Sequence, residues 1–261
     1  MGLPLHMQWT AIILAGQRPG TDPVAAHFGL EYKALVEIGG EAMLTHVLRA
    51  AHDSPQISRV IVAAQQPGAY AAAIAAGGGA QLFSSSDGIS ASLLALLDSD
   101  AAPLPWLVTT ADHPLLTPTI IGNFLDDASA QLSIGMVERQ VMLAQFPDAQ
   151  RTWLRFADGA WSGTNLFAMR TDNIRSALSL WAGAEQDRKQ AWKLFLHFGP
   201  LLALRAITRT IGLSAGIAKA GKAMGIEAEI IAMPDPVAAI DVDKPADHAL
   251  AAQIFAQRQG L

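Results

Sequence analysis

The chain has 261 residues, 51% of them hydrophobic and only 16% charged, which supplies ample apolar surface for a self-sufficient core and excludes intrinsic disorder and a strongly solvated coiled coil. Cysteine is absent, which removes disulfides, zinc–thiolate sites, iron–sulfur clusters and a cysteine nucleophile. A net charge of −5 speaks against general nucleic-acid binding.

The first element is Trp9 to Leu14, a continuous apolar run that stops at Ala15-Gly16. Its length and abrupt end fit a buried parallel strand feeding a loop, and the loop Gly16 to Pro23 is too rich in turn residues to be a helix. A helix is expected near Glu41 to Ala51, with Met43, Leu44, Val47, Leu48 and Ala51 on one face. Ser58 to Ala64 reads as a second core strand, Pro67 to Ala76 as an alanine-rich helix, and Gln81 to Phe83 as a short strand opening into Ser84–Gly88. A helix starts near Ser90. Trp106 to Thr110 is the next buried strand, and Thr117-Pro118 opens another helix, with Thr as N-cap and Pro in the first position.

Strands alternating with helices argue for an open, mostly parallel sheet covered on both faces. Such sheets bind ligands at the carboxyl ends of their strands, where the loops at Gly16, Ser84–Gly88 and Asp112 all fall. In the second half, Leu132 to Val137 and Gly163 to Met169 read as strands. Thr171 to about Gly225 reads as helical, interrupted at Gly183, Gly199-Pro200 and Gly212. Ala228 to Met233 and Ala238 to Val242 return to strand character, and Pro245 to Gln257 closes as a helix. With no repeat or linker, one α/β domain over 1–261 is expected, carrying a helical insertion at about 171–225.

No run reaches the ~18–20 uninterrupted apolar residues of a spanning helix; the longest candidate, Leu194 to Ile211, is broken by His197, Pro200, Arg205 and Arg209. No basic stretch or small-residue cleavage site flanks the first apolar segment, so a cytoplasmic protein is expected. Seven of the 18 basic residues (Arg188, Lys189, Lys193, Arg205, Arg209, Lys219 and Lys222) fall between Arg188 and Ile226, a stretch without an acid. This points either to an anionic partner or to a solvated basic surface.

The chemistry gathers at the rim. A glycine-containing turn after the first strand presents backbone N–H groups to phosphate oxygens, and Arg18 adds a bidentate donor. Neither G-x-G-x-x-G nor G-x-x-x-x-G-K-[ST] is present. Asp112 follows an apolar strand directly, while Asp241 and Asp243, two residues apart, point from one face. Carboxylate oxygens from separate rim positions suit Mg²⁺, with phosphate and water completing its shell; for Asp243 the alternative is a helix cap.

These residues also carry a family resemblance. Leu14-Ala15-Gly16-Gln17-Arg18, then Lys33 with Leu35 and Ile38-Gly39-Gly40, resembles the opening of the MobA-like NTP transferases, the molybdenum cofactor guanylyl- and cytidylyltransferase group of the nucleotide-diphospho-sugar transferase superfamily. Gly88-Ile89-Ser90-Ala91-Ser92-Leu93 resembles the family's segment near base and ribose. Thr110 to Leu116 resembles its metal-binding motif, and Asp241-Val242-Asp243-Lys244-Pro245-Ala246-Asp247 its closing motif. Where members usually carry a second basic residue, Pro19-Gly20-Thr21-Asp22 stands.

The resemblance implies a three-layer Rossmann-like sheet and transfer of NMP from an NTP to a phosphorylated acceptor with release of pyrophosphate. The acceptor's ionised phosphate is then the nucleophile, so no general base is required. It implies catalytic roles for Arg18, Lys33 and Asp112, with Mg²⁺ on Asp112 and Asp243. Nucleotide contacts fall to Leu14, Ala15, Gly16, Gln17, Arg18, Lys33, Gly88, Ser90 and Ser92, although either serine could instead cap its helix. Asn165 and Asp241 are assigned to the acceptor. His113, followed by proline, is expected to be a hydrogen-bonded structural group. Trp153, Phe156, Trp161, Phe167 and Trp181 are expected to pack the second half.

The NTP base and the acceptor, a small molecule or a lipid-linked phosphate, stay open. The basic helices between 188 and 222 either cover an anionic, partly hydrophobic acceptor, rest on an anionic membrane surface, or form a homodimer or sheet contact. Two other function classes compete: an NDP-sugar glycosyltransferase, which would favour an Asp-x-Asp that Ala111-Asp112-His113-Pro114 lacks, and a non-catalytic nucleotide-binding relative.

Overall fold

A computed structural model describes residues 7–17, 20–85, 88–186 and 200–260. In chain order its strands are β1 (Trp9–Leu14), β2 (Glu37–Ile38), β3 (Glu41–Ala42), β4 (Ile57–Ala64), β5 (Gln81–Ser84), β6 (Trp106–Thr110), β7 (Leu132–Glu138), β8 (Leu154–Phe156), β9 (Gly159–Met169) and β10 (Ala228–Ala232). The apolar run of β1 takes the middle of the sheet, where a strand is covered on both faces, and pairs in parallel with β4 on one side and β6 on the other. β5 extends the sheet in parallel beyond β4. On the far side β9 runs antiparallel to both β6 and β7, and β10 lies parallel to β7 at that edge. With β8 on β9, eight strands form the main sheet among the described residues, in a mixed but mostly parallel arrangement; β2 and β3 make a separate hairpin.

The two-residue period of β1 decides what each face packs. Ala11 and Ile13 join the larger core, with Met43, Leu44, Val47 and Leu48 of α2 (Met43–His52) and Ile120, Ile121 and Phe124 of α5 (Pro118–Asp127). Ile12 enters a second core with Ile61, Trp106 and Val108, beneath Leu93 and Leu96 of α4 (Ile89–Leu97) and Leu178 of α7 (Arg175–Gln186). Shorter helices α1 (Pro23–His27), α3 (Ala71–Ala76) and α6 (Arg139–Gln145) fill the connections. The helical stretch continues with α8 (Pro200–Ile207) and α9 (Leu213–Ala223), and α10 (Pro245–Gln259) returns to the larger core through Ala251 and Ile254. Among the described residues no helix is long and apolar enough to cross a membrane.

Two local expectations are corrected. The helix expected from Glu41 begins at Met43, because Glu41-Ala42 pairs with Glu37-Ile38 around Gly39-Gly40, both at positive φ (62° and 82°) as a tight hairpin turn requires. Ala238–Val242 is not a strand. Pro234 and Pro236 lack the N–H a ladder needs, Asp235 Oδ1 accepts from Val237 N at 2.9 Å, and Pro236–Ala239 closes as a 3₁₀ turn. The extended residues that follow pair with the rim instead: Val242 N donates to the Asp112 carbonyl at 2.9 Å.

Gly39 gives a test of this packing. A Cβ there would lie 2.2 Å from the Phe255 ring of α10, whereas at Gly79, also at positive φ (+87°), it would meet nothing within 4 Å. Gly39→Ala is expected to lose about 2–4 kcal/mol, combining backbone strain with overpacking. Gly79→Ala is expected to lose about 1 kcal/mol from strain alone. Urea denaturation midpoints of the two variants measure the difference; equal losses would remove the ring contact as a constraint.

Candidate active site

The carboxyl ends of β1, β4, β5 and β6 share one rim because the four strands are parallel. After β1 the chain turns through Ala15, Gly16 and Gln17, and three contacts hold that turn. Ala15 N donates to Ala63 O at 2.9 Å, and the buried Tyr70 hydroxyl donates to Ala15 O at 2.8 Å. The Gln65 side chain accepts from Gln17 N at 3.0 Å and donates to Gln17 O at 3.2 Å. The same amide explains the glycine: a Cβ on Gly16 would lie 3.1 Å from Gln65 Oε1. Burial pushes the Tyr70 phenol up to about 12, so it stays a neutral donor. Arg18 lies outside the described residues.

Lys33 opens a single 3₁₀ turn, Lys33–Leu35, and reaches across the rim. Its Nζ is 2.6 Å from Asp112 Oδ2 and 2.7 Å from Asp243 Oδ1, with the lysine side chain only 17% exposed. Burial pulls the ammonium pKa down, but the two carboxylates more than offset this and hold it above the ordinary lysine value. Lys33 is therefore charged at neutral pH. Asp112 is oriented by Thr110, whose hydroxyl donates to Oδ1 at 2.5 Å.

Asp241 is held differently. Arg151 Nη2 pairs with its Oδ1 and Nη1 with its backbone carbonyl, while Asn165 Nδ2 donates to Oδ2 at 2.8 Å. Arg151 also lies 3.8 Å from Asp247. Oxygens of Asp112, Asp241 and Asp243 all fall within 4.8 Å of one another. Two oxygens on opposite sides of one Mg²⁺ at ~2.1 Å are ~4.2 Å apart, so this donor set, all hard oxygens, fits a small divalent cation. The Lys33 ammonium occupies the space between Asp112 and Asp243, so a cation held by that pair would displace it, whereas both oxygens of Asp241 are bound to Arg151 and Asn165.

The expected residues thus divide. Lys33, Asp112, Asp241, Asp243 and Asn165 come together, next to the Leu14–Gln17 turn. Gly88 (φ 117°) caps α4 at the end of the β5 connection and accepts from Ser92 N and Oγ at 3.1 and 2.8 Å. Ser90 and Ser92 are buried (0% and 2% exposed), and neither caps α4, whose N-cap is Gly88. Asp243 does not cap α10: Lys244 is its N-cap, and Asp247, inside the first turn, reaches back to accept from Asp243 N and Lys244 N at 3.1 and 2.9 Å. His113 is fully buried and pushed down to about 4 by burial, with Nε2 3.4 Å from Val237 O. It is neutral at physiological pH and closed off from the rim.

Arg151, Gln65 and Tyr70 are site residues that sequence reasoning missed. Gln65 follows β4 immediately, a rim position that strand order alone would flag. Arg151 sits in an irregular stretch before β8, with no periodic signal.

The model of the MobA-like NTP transferase domain family matches residues 11–259. Among solved structures, a hypothetical transferase of Thermus thermophilus is 28% identical, covers 93% of this chain and 100% of its own, and superposes with a TM-score of 0.77. A nucleotidyl transferase from Methanothermobacter thermautotrophicus is 17% identical, over 96% of this chain and 99% of its own, at a TM-score of 0.59. The CMP:2-keto-3-deoxy-manno-octonic acid synthetase complexed with CTP is 19% identical, over 96% and 100%, at 0.55. The last two likenesses concern the fold alone. No curated protein matches the chain.

The Arg151–Asp241 pair yields a stability test. Both side chains are largely buried (10% and 14% exposed), and removing one partner leaves the other charge uncompensated. Arg151→Met is expected to lose about 2–4 kcal/mol in urea denaturation. Adding Asp241→Asn is expected to restore part of that loss, and strictly additive losses would show that the pair is not coupled.

Proposed function

Because the chain belongs to the MobA-like NTP transferase family, we propose that it transfers NMP from an NTP to a phosphorylated acceptor and releases pyrophosphate. The observation that carries this reading is the convergence of Lys33 with Asp112 and Asp243 beside the Ala15–Gln17 turn. A triphosphate needs fixed positive charge and backbone donors on one side, and carboxylates able to share a cation on the other. The rim offers both.

The acceptor's phosphate oxygen attacks the α-phosphorus in line, forming the new P–O bond as the bond to pyrophosphate breaks. That oxygen is already ionised, so no residue has to remove a proton, and the burial of neutral His113 costs the reaction nothing. Catalysis is then positioning and charge neutralisation. The Gly16 N–H and the Lys33 ammonium hold the phosphates, Ala15 N and Gln17 N being taken by Ala63 O and Gln65 Oε1, and Arg18 keeps the role that its place in the motif implies. Asp112 and Asp243 would hold Mg²⁺, which when bound supplies neutralisation of the developing phosphate charge. Asn165, through its bond to Asp241, fixes the acceptor side of the rim. Gly88 and the start of α4 form the wall toward base and ribose.

Two measurements test this. A ligand that binds only the folded state raises the melting temperature by mass action, so one of ATP, GTP, CTP and UTP is expected to raise it in the presence of Mg²⁺. No shift with any of the four, alone or with a phosphorylated acceptor, would remove the nucleotide reading. Asp112→Asn keeps the side-chain shape and removes its charge, so it is expected to lower kcat on the order of 10²-fold or more with little change in NTP affinity. Unchanged turnover would take Asp112 out of the reaction.

A further inference from the structure

On the face of the sheet away from the larger core, a cavity of about 290 Å³ opens between β7 and β9 and the helices α7, α8 and α9. Its described lining is entirely apolar, with Phe167 and Met169 of β9 on the floor and Trp181, Leu202, Ile217 and Met224 above them. Protein interiors hold few voids larger than a water molecule, and an apolar void does not hold water. This one is about twice the roughly 150 Å³ cavity that takes up benzene in an apolar interior, so by that scaling it accommodates on the order of ten to twelve carbon atoms.

Two of the three helices around it are basic. Between Pro200 and Ile226 the chain carries Arg205, Arg209, Lys219 and Lys222 and no acid, and the neighbouring acid Asp158 is spent on Leu213 N at the start of α9, so α8 and α9 present a positive field to an incoming ligand. The floor leads to the rim. Phe167 lies two residues along β9 from Asn165, past the bulge where Asn165 takes a positive φ of 53° and so at most about 7 Å away, and Asn165 is hydrogen-bonded to Asp241. A group at the rim and a chain in the cavity are thus within reach of one molecule.

We propose that this cavity receives the hydrocarbon chain of an amphiphilic phosphate. Apolar walls bind the chain, and the basic helices favour the anionic head. That this amphiphile is the transferase's acceptor rests on the reading given above; occupancy of the cavity by the chain does not.

The test is a series of monoalkyl phosphates of rising chain length, each below its critical micelle concentration, titrated calorimetrically into the whole protein with inorganic phosphate as the chain-free control. Affinity is expected to rise about fourfold per added methylene and to level off near ten to twelve carbons. Two variants fill the cavity from different helices, Gly216→Leu on α9 and Ala177→Leu on α7. At Gly216 the nearest atom to an added Cβ is a Phe156 ring carbon at 4.0 Å, so the new side chain leaves the helix without a clash. Both variants are expected to lose the chain-length dependence while keeping the nucleotide-induced thermal shift of the parent protein. A series flat in chain length, or one that persists in both variants, overturns the proposal. Chain-dependent binding in a protein that no nucleotide stabilises would refute nucleotidyl transfer and leave the cavity assignment standing.

Discussion

One ammonium group, that of Lys33, joins two carboxylates from distant parts of the chain, Asp243 being 210 residues away. Holding three carboxylates within 4.8 Å of one another, Asp112 and Asp241 of them largely buried, is unfavourable unless positive charge accompanies them. Lys33 supplies it to Asp112 and Asp243, and Arg151 supplies it to Asp241. Ion pairs of this kind add little net stability over well-packed apolar groups. Their value here lies in orientation, since the carboxylates are held before any ligand arrives, and a cation entering between Asp112 and Asp243 would turn the Lys33 ammonium toward the phosphates.

The rest of the rim serves the same end through hydrogen bonds. Tyr70, Gln65 and the Ala63 carbonyl fix the turn after β1, and Thr110 fixes Asp112. Val242 N donates to the Asp112 carbonyl, so the closing DVD segment is stitched to the end of β6 although it joins no sheet. Loss of strand pairing from 238 to 242 is thus part of the design: a ladder would have held both aspartates to sheet geometry, whereas the 3₁₀ turn and the extended segment let them converge on Asp112.

The two faces of the sheet differ in how completely they are filled. One packs α2, α5 and α10 into a large continuous core. The other packs α4 and α7 closely, but leaves space where the helices after β9 cover β7 and β9. That space lies beside β9, the strand whose antiparallel pairing departs from the parallel plan of the first half. The two regions are therefore built from different materials, charged side chains at the rim and apolar ones around the cavity.

Much of this was legible in the sequence. Buried parallel strands announce themselves as short apolar runs, so β1, β4 and β6 appear at their observed places, and the turn residues after them mark the rim. Local chemistry also placed Thr117 correctly as the cap of α5, its hydroxyl accepting from Ile120 N at 3.2 Å. Periodicity failed where a partner outside the segment decides the conformation. Glu41-Ala42 pairs back across Gly39-Gly40, and Ala238–Val242 has strand composition but spends its donors on the preceding 3₁₀ turn and on Asp112 O. Arg151 carries no local signal at all, because its role comes from Asp241 and Asp247, about ninety residues away. The sequence by itself determined the sheet, its rim and the carboxylates and lysine set along it, since burial and motif spacing are written in consecutive residues. Only the tertiary structure decided which charges neutralise which, that Ser90 and Ser92 turn inward, and that an apolar cavity opens beside β9. Those depend on distances between segments, and distance along the chain does not encode them.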